Sequence, residues 1–174
     1  MTKRFALLLA FILLGSAVVA DAQTRRTTRR TTPPKVVTSS TLPANAVAER
    51  KAGAEKAAVQ IKNVSRFIFL LGGVAKGIED IDKDPRANRA AKDANETNKR
   101  ELVQAIRNLE AGLQALEIEF RTKETLKKHV PIIGGITELA RTSGDLAAAG
   151  RLTEAGRPLL DVVEKLSDTL VAMP

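Results

Sequence analysis

The chain has 174 residues, with 28 Lys or Arg against 20 Asp or Glu, giving a formal net charge of +8 with its single histidine neutral. It contains no cysteine, tryptophan or tyrosine and only 5 phenylalanines. Those absences exclude disulfides, thiol catalysis, cysteine-ligated metals, covalent haem attachment and a Cys-anchored lipid. They also argue against surfaces built on aromatic hot spots or base stacking.

At the amino end, Lys3 and Arg4 precede the apolar run FALLLAFILL, and a small-residue segment ends in Ala20-Asp21-Ala22. This is the pattern of a secretory signal peptide: a positive start, an apolar centre, and small side chains suited to a cleavage pocket. The apolar stretch Phe5 to Ala20 is shorter than the roughly 20 residues that span a bilayer. Cleavage is expected after Ala22, leaving Gln23 first, and the protein is expected to be exported to the periplasm or the extracellular space. Two bases and one acid leave with the signal, which takes the net charge from +8 to +7.

Residues 23–43 follow as an Arg/Thr/Pro-rich segment, TRRTTRRTTPPK at its centre, expected to be a disordered arm. Arg25, Arg26, Arg29, Arg30 and Lys35 contribute +5, whereas residues 44–174 carry 21 bases and 19 acids and so only +2. The five arm cations are candidate ligands for a polyanion such as anionic lipid, polysaccharide or nucleic acid. The same composition also serves as a solvated spacer.

Residues 44–174 read as an α-helical bundle domain. From Ala46 to about Lys83, Ala54, Ala57, Ile61, Val64, Ile68, Leu71, Ala75 and Ile78 recur at three- and four-residue steps, with Phe67, Val74 and Ile81 widening the stripe. Such a helix is about 55 Å long. Gly72, Gly73 and Gly77 interrupt it, each at about 1 kcal/mol relative to alanine; close contact with a neighbouring helix is the expected compensation.

Asp84-Pro85 predicts a helix restart, with Asp as cap and Pro at the first helical position, or a start nearer Thr97. The clearest periodicity follows, Leu102, Ile106, Leu109, Leu113, Leu116 and Phe120. This helix is expected to end at Lys127–His129, where Pro131 restricts the residue before it and the cations suit exposed carbonyls. A third helix is predicted over Ile132–Ala149 with Gly150 as its cap, and Gly134-Gly135 near its start is expected to face the first helix pair. A fourth runs from Thr153 or Pro158 to Ala172, burying Leu159, Val163, Leu166 and Leu170. The fold class is therefore all-α, an elongated bundle or hairpin array of about four helices, two long and two short. The segment Ala147–Gly156 reads as a local helical hairpin, without a repeat of helix-pair length elsewhere.

Chemistry is sparse. The alternation Glu79, Asp80, Asp82, Asp84 begins like a calcium loop, but Pro85 stands where the turn needs Gly and Ala91 where the bidentate Glu belongs, so capping residues are the better reading. His129 has no relay partner visible in the sequence and suits a helix end. A di-metal site in a bundle needs Glu-x-x-His, and position 126 is Leu126. No phosphate-binding glycine loop is present. No catalytic, cofactor-binding or metal-binding residue is assigned, and the expectation is a non-catalytic exported protein with a structural or protein-interaction role in the cell envelope or outside the cell. Its heptad stripes offer a route to a protein partner or homo-oligomer through a coiled coil. Polyanion binding through the arm is the alternative, and an enzyme of unknown class the second alternative.

Overall fold

The computed structural model describes residues 44–173; the expected signal peptide and the expected basic arm with its five cations lie outside the described residues. Four helices account for most of the remainder: α1 (Ala44–Lys83), α2 (Arg89–Thr122), α3 (Ile136–Ala148) and α4 (Leu152–Val171). A 3-10 turn at Lys127–His129 and one helical turn at Val130–Ile133 link α2 to α3. Among the described residues there is no strand.

The packing forms a closed ring. α1 packs on α2 and α4, and α3 packs on the same two helices from the other side. Successive helices run antiparallel. Asn95 meets Ile78 at one end of the α1–α2 pair, and Lys56 meets Glu119 and Thr125 meets Glu49 toward the other. The bundle is thus up-down-up-down with short connections, the arrangement in which sequence neighbours are also spatial neighbours. Because α3 and α4 are short, they cover only part of the long α1–α2 hairpin.

The α2 stripe is buried at every predicted position, Leu102, Ile106, Leu109, Leu113, Leu116 and Phe120. Each such side chain contributes about 2 kcal/mol of gross hydrophobic stabilisation. In α1 the buried line is Ala46, Gly53, Ala57, Val64, Phe67, Leu71, Ala75 and Ile78. Ala54, Ile61 and Ile68 are only half-buried, since α1 is wedged between two helices and presents a broad face rather than a seam. The α4 face is likewise shifted: Leu159 and Leu166 are buried as expected, but Val162 and Thr169 replace Val163 and Leu170 at its centre.

Several boundaries differ from the sequence expectation. Asp84 does not cap α2. Its carboxylate accepts from the Arg86 amide at 2.8 Å and its carbonyl from the Ala87 amide at 3.3 Å, which closes a turn around Pro85. The cap is Asn88, whose side chain accepts from the Ala91 amide at 2.8 Å. α2 stops at Thr122 rather than at His129, and Pro131 opens the following helical turn instead of ending the preceding helix.

The third helix begins at Ile136 because Gly135 adopts φ +89° and breaks the chain direction there. Its other end matches expectation. Gly150, at φ +78°, donates to the Ala147 carbonyl at 3.0 Å, and Arg151 donates to Leu146 at 2.9 Å, the paired bonds that close a helix through a left-handed residue. This turn makes α3 and α4 the helical hairpin expected for Ala147–Gly156. Pro158 lies inside α4, which starts ahead of it at Leu152.

Candidate functional site

The acidic alternation at the end of α1 does not converge. Glu79 accepts from the Thr153 amide at 2.8 Å, Asp80 pairs with Lys76 at 2.9 Å, Asp82 receives Asn95 and Lys99, and Asp84 closes its own turn. Four carboxylates that each engage partners of their own are structural residues, not a cation cage. Among the described residues no group of three or more His, Asp or Glu is placed to hold a metal ion. Asn95 is buried at 1% exposure, and its amide donates to the Ile78 carbonyl at 2.9 Å and to Asp82 at 2.8 Å, which ties the start of α2 to the end of α1.

Two glutamates perform a task that sequence spacing does not reveal. Neither α3 nor α4 has a capping side chain of its own, their N-cap residues being Gly135 and Arg151. Glu117 of α2, only 5% exposed, accepts from the Gly135 amide at 3.1 Å, the Thr137 amide at 3.2 Å and the Thr137 hydroxyl at 2.7 Å, and is flanked by Arg121. Glu79 of α1 does the same for α4 through Thr153. Each short helix therefore has a carboxylate from a long helix at its positive dipole end, bonding two amides of α3 and one of α4. Burial disfavours the charged form of Glu117, but the Thr137 hydroxyl, the Gly135 and Thr137 amides and Arg121 outweigh it and hold its pKa below the usual value.

His129 is 3% exposed, and its Nε2 has no hydrogen-bond partner. Burial, then the positive charges of Lys128 and Arg50, push its pKa below the ordinary histidine value. The unfolded chain, titrating near 6.5, takes up a proton that the folded chain refuses. Stability is thus unaffected above that pH and declines as pH falls from there toward the lowered folded pKa. Urea titrations from pH 7.5 to 5 are expected to show this decline in the wild type and a much flatter profile in His129→Gln. Equal slopes would remove His129 as its source.

The outer face of α1 carries the largest departure from the sequence expectation. Gly72, Gly73 and Gly77 do not sit against another helix: all three are exposed, and a Cβ at any of them would meet nothing within 4 Å. The expected close packing is therefore absent at these positions. It occurs instead at Gly53, where a Cβ would lie 3.0 Å from both methyls of Leu126. On the same outer face, Phe69 is 81% exposed. It follows buried Phe67 by two residues, a rotation of about 200°, so its outward direction was readable once Phe67 was assigned to the core. Lys62 and Arg66 precede it on this face and form no ion pair among the described residues.

The heptad residues named as a route to a partner lie largely inside the bundle, leaving the outer faces as the available surfaces. No helix among the described residues is long and apolar enough to cross a membrane.

Fold and surface together define an all-α, antiparallel four-helix bundle whose longest helix exposes Phe69 and three glycines among charged side chains on its outer face. Comparison with family models, curated proteins and solved structures gave no match.

Proposed function

We propose that this is an exported, non-catalytic helical protein of the cell envelope or extracellular space, which acts by presenting the outer face of α1 to a protein partner or to a second copy. The observation that carries the reading is Phe69, 81% exposed beside three outward glycines. Glycine in an exposed helix interior costs about 1 kcal/mol relative to alanine. Nothing inside the bundle offsets that cost at Gly72, Gly73 or Gly77, whereas a partner helix approaching the bare backbone would. The burial of His129, 3% exposed and so withheld from a substrate in solution, supports the non-catalytic part of the reading.

The test replaces Phe69 with benzoylphenylalanine in a chain expressed with its own leader. One dominant photo-adduct of defined mass is expected from position 69, and none from the same probe at Glu101. An absent adduct, or equal smears from both sites, contradicts the proposal. An amino terminus at Gln23 on the exported chain checks its location.

Polyanion binding through Arg25, Arg26, Arg29, Arg30 and Lys35 is the second reading, favoured by the concentration of +5 in the arm against +2 in residues 44–174. Retention on heparin that falls steeply with salt, and is lost when the four arginines become glutamine, is its expected signature.

A further inference from the structure

A cleft of about 660 Å³ opens where α3 ends against the longer α2. Its lining includes Val103, and one wall is the turn Ala147–Gly150, in which Ala148 and Ala149 are exposed. Arg100, Gln104 and Arg107 line the α2 side. The two arginines are two helical turns apart, a rise of about 10 Å, and lie on one face of the helix.

The cleft's charges divide into a satisfied set and an available one. Lys99 bridges Asp82 at 3.0 Å and also pairs with Glu96, so the two carboxylates in the lining share one cation. Arg107 has no ion pair or hydrogen bond among the described residues, and Arg100 donates only to the Thr97 hydroxyl at 3.3 Å. Each guanidinium keeps a planar fork of donors, the geometry that takes a carboxylate or phosphate in a bidentate manner. The carbonyl end of α3 disfavours an anion against the opposite wall, which confines negative groups to the arginine side. Between the two arginines the lining is Val103 and Gln104, with alanines across from them.

We propose that this cleft is a binding site for an elongated organic dianion, an apolar spacer with an anionic group at each end, one held by Arg100 and the other by Arg107. This assignment is independent of the α1 outer face.

The experiment titrates the mature chain with α,ω-dicarboxylates of increasing length at low ionic strength, read by calorimetry. Affinity is expected to peak at the member whose carboxylates stand about 10 Å apart. It should fall about tenfold in Arg100→Gln and in Arg107→Gln, the loss of one charge-assisted pair. Arg157→Gln, at an exposed arginine outside this cleft, should bind as the wild type does. The arm is present in every variant, so its contribution cancels, and thermal melts establish that each variant is folded. Affinity that rises or falls without a length optimum, survives both cleft substitutions, or drops equally in Arg157→Gln overturns the assignment.

Discussion

Replacing Glu117 with alanine is expected to lower stability by about 3 kcal/mol, a fall of roughly 10 °C in melting temperature for a domain of this size. The substitution removes the acceptor for two backbone amides and one hydroxyl at the start of α3. Gly135, the N-cap residue, has no side chain that could replace it. Arg121 is exposed on its own helix and returns to solvent, so its loss of partner adds little. Glu117→Gln keeps the shape but turns one acceptor into a donor facing donors, and about half the loss is expected. The advantage of the wild type over Glu117→Ala is complete above the ordinary carboxylate pKa and disappears as pH falls through the lowered folded value. Hydrogen exchange at the Gly135 and Thr137 amides provides the local readout. A penalty below about 0.5 kcal/mol would mean that water satisfies α3 as well as Glu117 does.

Leu126→Ala is expected to cost about 3 kcal/mol, because Leu126 is fully buried and seats its methyls against the bare backbone of Gly53. The two positions should be coupled. In the wild type, Gly53→Ala gains helix propensity but places a methyl 3.0 Å from the Leu126 methyls, so the leucine must shift. With Leu126 already truncated, the new methyl fills part of the space it left, and the same substitution becomes favourable by about 1 kcal/mol. A double-mutant cycle by urea denaturation should return a coupling of about 1–2 kcal/mol. Additive effects would show that Leu126 does not rest on Gly53.

The two cases mark how far the sequence reaches. The α2 stripe was legible because its 3.5-residue spacing leaves one helical face apolar, and every member of it is buried. Gly150 was legible because a left-handed cap needs glycine at a defined position after the last helical residue. The α2 start is not legible in the sequence because Asp84 and Asn88 are both capping residue types. Only three-dimensional context shows that Pro85 draws Asp84 into a turn. Glu117 and Glu79 were illegible as caps, since the amides they satisfy lie 18 to 20 and 74 residues away in the chain. The cost of the α1 glycines is legible in the sequence, but which of them touch another element depends on rotation about the helix axis. A shift of one residue, about 100°, moves a position from interface to solvent.

That rotation gives the outer face of α1 its place in the proposed function. Three glycines that no internal contact requires stand beside an exposed phenylalanine, on a helix whose opposite side is buried by two neighbours. The most direct test is the triple variant Gly72→Ala, Gly73→Ala, Gly77→Ala, measured for stability and, with the photo-probe at position 69, for adduct formation. The bundle should become more stable, by about 0.5–1 kcal/mol for each glycine replaced, while the adduct falls at least several-fold because the added methyls hold the partner away. A stabilised variant whose adduct is undiminished would contradict the proposal that these glycines serve a contact outside the bundle.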